Sequence, residues 1–120
     1  IQILYRLRGI SGVIRIFEHF EEIDSYVFAM EKIPNSCTLF SFVMNHSSLA
    51  NTELLRHIFR ELVQINLTLA SYGVWHRDCK LENILYCRND RSIRFIDFGS
   101  AAPVQEDDYR EFQVCVLFFI

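Results

Sequence analysis

The decapeptide HRDCKLENIL, residues 76–85, sets six charged or titratable side chains and an asparagine directly after the apolar YGVW of 72–75. Such polarity between apolar runs marks either a solvated loop joining two core elements or a place where chemistry is done. The residues that follow narrow the choice. ILYC (84–87) and SIRFI (92–96) read as two short strands around the polar turn RNDR (88–91), and DFGS (97–100) ends the second. A hairpin brings its two ends together, so Asn83 and Asp97 are expected side by side. Carboxylate and carboxamide oxygens converging in this way suit a hard cation such as Mg2+, which takes few protein oxygens and keeps water and phosphate oxygens as its other ligands. Lys80 adds a compact positive charge two residues from Asp78. An ionised carboxylate placed there can accept and orient a hydroxyl proton while cations hold phosphate. Residue types and spacing thus describe a phosphoryl-transfer site. The plainer alternative is that Asp78, Asn83 and Asp97 are turn formers flanking strands.

Upstream, GVIRIFEHF reads as a strand over residues 13–20, EEIDS as a turn, and YVFAMEK as a second strand over 26–31, the pair forming an antiparallel hairpin. GISG (9–12) turns the chain from a helix end into the first strand. IPNSC interrupts the pattern at Pro34, and a short amphipathic helix is expected from Thr38 to about Asn45, packing through Leu39, Phe40, Phe42 and Val43. The longest periodic element follows. Asn51 and Thr52 offer capping side chains, and Leu54, Leu55, Ile58, Phe59, Leu62, Ile65, Leu69 and Ala70 fall on one stripe. Gly73 can supply the left-handed residue that ends this helix. A hairpin, a short helix, a long helix, a polar loop and a second hairpin make an α+β pattern rather than a parallel βαβ one.

Bulk composition excludes several classes. A chain of 120 residues has the size of one small domain, and 51% apolar with 22% charged residues is an ordinary globular balance. The net charge of −3, with no basic stripe, argues against nucleic acid as a partner, and no apolar run reaches the length of a membrane span. Cys37, Cys79, Cys87 and Cys115 include no C-x-x-C pair, which suits reduced thiols in a cytoplasmic or nuclear setting. Met30 on its strand is read as core packing. The N-terminal Ile1 and the uncapped apolar VCVLFFI of 114–120 suggest truncation at both ends.

H-R-D-x-K-x-x-N at 76–83, with D-F-G beginning fourteen residues after Asn83 (97 − 83), resembles the catalytic loop and metal-binding motif of eukaryotic protein kinases. Lys80 resembles the Ser/Thr branch. FEHFEE, YVFAMEK, HRDCKLENIL and FIDFGSA are similar to the Pim kinases, a calcium/calmodulin-kinase-like group. The resemblance implies a partial kinase fold: residues 1–30 as the end of the small lobe, 31–37 as the hinge, 38–113 as part of the large lobe, and 114–120 as a divergent tail. It implies ATP and Mg2+ as cofactors, a protein substrate with a Ser/Thr acceptor, and a monomeric full-length parent. Asp78 would be the catalytic base, Lys80 the γ-phosphate contact, and Asn83 and Asp97 the metal ligands. His76, Arg77 and Gly99 would give structural support, His76 to the D-F-G backbone and Arg77 to the activation segment. Met30 would be the gatekeeper. Glu31, Lys32, Ile33 and Pro34 would face adenine, with Leu85 and Ile96 as the floor and back of the nucleotide pocket.

The chain departs from that pattern in instructive places. No Gly-rich loop, strand lysine or paired helix glutamate precedes residue 18, and no A-P-E follows. The 120 residues alone are therefore expected not to phosphorylate a substrate, and their unpartnered hairpin edge predicts a marginally stable chain. A non-catalytic, partner-binding product is the rival reading. Thr38, Ser41 and Leu81 stand where the Pim group places acids, leaving Glu82 as the candidate contact for a basic substrate. Ile33 replaces a characteristic proline and keeps a backbone N–H that proline lacks.

Overall fold

The computed structural model describes residues 1–49 and 51–104. Their order is α1 (Gln2–Arg6), β1 (Ile16–Glu21), β2 (Tyr26–Met30), β3 (Ser36–Thr38), α2 (Leu39–Asn45), α3 (Thr52–Ser71), β4 (Val74–Trp75), β5 (Ile84–Cys87), β6 (Ile93–Phe95) and β7 (Ala102–Pro103). Short 3-10 turns occupy Ser47–Leu49, Leu81–Asn83 and Phe98–Ser100. The architecture is α+β, with antiparallel strands in three groups: β1–β2, β3–β5–β6 and β4–β7. Cys115 and the apolar run 114–120 lie outside the described residues, as does the C-terminal part of the expected large-lobe segment.

Local chemistry explains the helices. Asn51 caps α3 by accepting from the Leu54 N–H at 2.9 Å, and Gly73 takes φ 67° just beyond its last turn. Leu54, Ile58, Ile65 and Leu69 form its buried stripe, whereas Leu55, expected on that stripe, is exposed. Its position is about 100° around the helix from Leu54, which carries it past the edge of the core contact. Thr38 caps α2 by accepting from the Ser41 N–H at 3.1 Å. Leu39 and Phe42 turn inward, and the Phe42 ring rests on that of Tyr86 with centroids 4.5 Å apart, docking α2 on β5.

The sheet under these helices is larger than the sequence suggests. Ser36–Thr38, read as the end of the hinge and the first residue of the short helix, forms a third strand whose partners are Leu85 to Cys87. The polar run S-C-T carries no alternation to betray it. A backbone register with β5 makes it a strand. The β5–β6 hairpin pairs Ile84 with Phe95 and Tyr86 with Ile93, as its alternating apolar residues predict.

The first strand begins later than its sequence pattern, at Ile16 rather than Val13. Residues 12–14 leave the ribbon and run beside β6 instead. The Phe95 N–H donates to the Gly12 carbonyl at 2.7 Å, and the Ile14 N–H donates to the Phe95 carbonyl at 3.0 Å. Gly12 packs directly on α3: at φ +86°, a Cβ there would stand 2.3 Å from Cγ1 of Ile65. Val13 consequently belongs to the buried core shared by both helices and the three-stranded sheet, and Ile14 beside it is buried.

β1 and β2 form the expected hairpin, turned by the Glu22 N–H donating to the Ser25 carbonyl at 2.8 Å. Its faces are open, with Phe17, Phe20, Tyr26, Val27 and Phe28 all exposed. Met30 is 48% exposed, which corrects the core-packing expectation. Among the described residues this ribbon has two strands, too few to cover the apolar side chains of either face.

Candidate active site

The polar decapeptide is threaded between β4 and β5, and its shape is set from below by His76. That ring is 1% exposed, with edge contacts to Phe98 and Phe95 at centroid distances of 4.6 and 5.4 Å. Its Nε2–H donates to the Ile96 carbonyl at 2.9 Å, and its Nδ1 accepts from the Asp78 N–H at 3.3 Å. One nitrogen donates and the other accepts, so the neutral tautomer satisfies both bonds. Burial accordingly pushes the imidazole below its usual range, outweighing the opposing influence of the Ile96 carbonyl and of Asp78 and Asp97. His76 therefore links the residue before Asp97 to the backbone of Asp78.

Arg77 adopts φ 63°, a left-handed conformation uncommon for a side-chain-bearing residue. The kink turns its guanidinium toward the segment after D-F-G, where Nε donates to the Ser100 carbonyl at 2.6 Å. His76 and Arg77 thus hydrogen-bond the backbone on the two sides of D-F-G, at Ile96 and Ser100.

Asp78, Lys80 and Asn83 converge. Lys80 Nζ lies 3.1 Å from Asp78 Oδ2, and Asn83 Nδ2 donates to the same oxygen at 2.8 Å and to the Asp78 carbonyl at 3.0 Å. The hydrogen bond from Lys80 holds the Asp78 carboxyl below the usual carboxylate range, with Asn83 assisting, and the same bond raises the lysine. Asp78 and Lys80 are thus an ionised pair at neutral pH. Glu82 is exposed on the adjoining turn.

Asp97 arrives from the other end of the hairpin. The Ile96 N–H donates to the Asn83 carbonyl at 2.9 Å, fixing the two expected metal-binding residues on neighbouring backbones. Asp97 is left-handed at φ 56°, and its Oδ1 accepts from the Gly99 N–H at 3.1 Å. A Cβ on Gly99 would stand 3.0 Å from that oxygen, so glycine makes room for the carboxylate. The donor set fits Mg2+. Asn83 spends its amide N–H groups on Asp78 and keeps its carboxamide oxygen, Asp97 keeps Oδ2, and both are hard oxygen ligands.

The residues expected to form the hinge are held nearby through β3. Ile33 accepts at its carbonyl from Ser36 Oγ at 2.7 Å, and the Arg88 N–H donates to the Asn35 carbonyl at 3.2 Å, where β5 ends. Leu85 and Ile96 are half-buried, while Met30 and Lys32 are exposed. Sequence reasoning missed the bracing of this site by residues 12–14. The glycine of GISG preceding a β-branched run was the available signal, and it was read as a simple turn. Cys37, Cys79 and Cys87 are thiols, and Cys79 donates weakly to Asn66 Oδ1 at 3.8 Å.

A buried histidine braced against the D-F-G backbone, an aspartate–lysine–asparagine cluster and a second aspartate across a hairpin thus lie together in one part of the structure. The protein kinase domain family matches residues 1–119, and the chain belongs to that family. It is 39% identical over 95 residues to the PAS domain-containing serine/threonine-protein kinase of Mus musculus, covering 79% of this chain and 7% of that protein. It is 32% identical over 106 residues to the serine/threonine-protein kinase pim-2 of Danio rerio, covering 88% of this chain and 34% of that protein. Serine/threonine-protein kinase 1 of African swine fever virus is 34% identical over 104 residues, covering 87% of this chain and 34% of its own length. The resemblance to Pim kinases is therefore borne out, within a wider likeness to Ser/Thr kinases. The chain spans about a third or less of the length of these relatives.

Proposed function

We propose that the chain carries the hinge, catalytic loop and D-F-G segment of an ATP-dependent serine/threonine protein kinase. The observation that carries this reading is the shared Asp78 Oδ2, engaged by both Lys80 and Asn83, with Asp97 held across the hairpin from Asn83. With Oδ2 so engaged, Asp78 presents Oδ1 to an incoming hydroxyl. Its carboxyl is weakly basic, so it orients the hydroxyl and takes the proton as phosphorus–oxygen bond formation makes that proton acidic. Lys80 carries its positive charge toward the transferring phosphate. Asn83 and Asp97 would hold Mg2+, which when bound neutralises the phosphate charge that develops during transfer. Glu31 to Pro34 would face adenine, and exposed Glu82 is the candidate contact for a basic substrate residue.

The test is a phosphate-incorporation assay on the longest product of the gene that contains these residues. Activity dependent on Mg2+ and lost in both Asp78→Asn and Asp97→Ala supports the reading. Activity that survives either substitution overturns the assigned roles. A second reading, a non-catalytic partner-binding product, is favoured by the open apolar faces of β1–β2. A product that begins and ends with the present residues, and transfers no phosphate, would support it.

A further inference from the structure

We propose that the Glu31 carboxylate is a positioning residue that locks the hinge to the strand delivering Asp97. The inference rests on the kinase reading above, but it concerns the Glu31 carboxylate, which the Arg15 backbone engages. Past the Ile16–Met30 pair the β1–β2 ladder ends. Glu31 extends it by one rung. Its own N–H donates to the Arg15 carbonyl at 2.9 Å, and its side-chain Oε1 accepts from the Arg15 N–H at 2.8 Å. The side chain thus takes the place of the backbone carbonyl that a continuing strand would offer Arg15.

Arg15 directly follows the segment that runs beside β6. The Ile14 N–H donates to the Phe95 carbonyl at 3.0 Å, and the Phe95 N–H donates to the Gly12 carbonyl at 2.7 Å. Ile96 then bonds the Asn83 carbonyl, and Asp97 is the next residue. Residues 12–15 therefore form a strut with Glu31 at one end and the residues before Asp97 at the other. An ATP whose base lies along the hinge and whose phosphates lie at Asp97 would have both ends held at one spacing by this strut. A hydrogen bond to an ionised carboxylate is stronger than a neutral one, which suits a single side chain closing the end of a ladder.

The test has two arms. Amide hydrogen exchange is measured on the full chain as wild type, Glu31→Gln, Glu31→Ala and Glu22→Ala. Glu22 likewise accepts a hydrogen bond, from Ser25 Oγ at 3.0 Å, but lies at the far end of the ribbon. Glu31→Ala is expected to speed exchange by roughly tenfold at Arg15, Ile14 and Phe95, the loss expected for a charged hydrogen bond. Glu31→Gln keeps an acceptor and stays within roughly threefold of wild type, and Glu22→Ala changes none of these amides. In the longest gene product, Glu31→Ala raises the KM for ATP more than it lowers kcat, and Glu31→Gln restores it. Exchange confined to Arg15, a Gln variant no better than Ala, or an unchanged KM overturns the proposal. Absence of ATP-dependent activity in the wild type defeats the kinase reading instead, and the exchange arm still decides whether the strut exists.

Discussion

Gly12→Ala is the sharpest probe of how the two halves of this chain are joined. Two costs add at this position. The left-handed backbone, at φ +86°, is one that alanine adopts at a penalty of about 1–2 kcal/mol. The new methyl would also meet Ile65 at 2.3 Å from Cγ1 and 2.5 Å from Cδ1. Ile65 is 5% exposed and hemmed in by the core, so relief requires a backbone shift or an off-rotamer side chain, typically about 1–3 kcal/mol. The sum is about 2–5 kcal/mol, a large share of the ~5–15 kcal/mol available to a whole domain. The half-buried Trp75, the chain's single tryptophan, reports the transition in urea. With a slope of about 2 kcal/mol per molar urea, the midpoint should fall by about 1–2.5 M, or the variant should lack a folded baseline altogether. Repeating the substitution in an Ile65→Ala background separates the two costs, because removing the isoleucine branch leaves the backbone penalty and a single Cβ contact at 3.3 Å. A midpoint within about 0.3 M of wild type, or an equal loss in both backgrounds, would refute the packing argument.

Two further outcomes follow from the site. His76 is held neutral below its usual range by burial, so between its folded pKa and about 6.5 the unfolded chain binds the extra proton. Stability should thus fall as pH drops from about 6.5 and level off below the folded pKa; urea midpoints across pH 5–8 with no such slope, or a slope unchanged in His76→Gln, would contradict this. Gly99→Ala crowds Asp97 Oδ1 at 3.0 Å, and should weaken Mg2+ affinity by roughly tenfold, as measured by metal-dependent amide shifts, while thermal stability changes little.

The parts of the fold that were legible in the sequence are those where a local pattern and the tertiary environment agree. Asn51 before an apolar stripe at helical spacing announces α3, and alternation around RNDR announces β5–β6. The candidate site loop was legible for a different reason: its polar residues recur at a spacing that resembles the H-R-D-x-K-x-x-N motif of protein kinases. β3 was illegible because Ser36, Cys37 and Thr38 owe their strand to partners 47 to 51 residues away (85 − 38 and 87 − 36). Residues 12–14 misled for the opposite reason. Val13 and Ile14 have every propensity for the first strand, and a β-branched run cannot say which neighbour it will pair with. The Glu31–Arg15 contact was equally hidden, since a glutamate in a hinge reads as solvent-facing until its distance to a backbone amide is known.

The two-residue ribbon β4–β7 has a mechanical consequence. Val74 faces Pro103, Trp75 faces Ala102, and the Val104 N–H reaches the Gly73 carbonyl at 2.9 Å. Val104 and Gly73 lie at the same end of this antiparallel pair, so a tension on the chain at Val104, directed away from α3, peels the contacts one by one, beginning with the Val104–Gly73 hydrogen bond. Behind them, Arg77 on the Ser100 carbonyl and His76 on the Ile96 carbonyl tie the same two stretches together on either side of Asp97. A pull from that side therefore has to open the ribbon first, and then the Arg77 bond, before it reaches the aspartate.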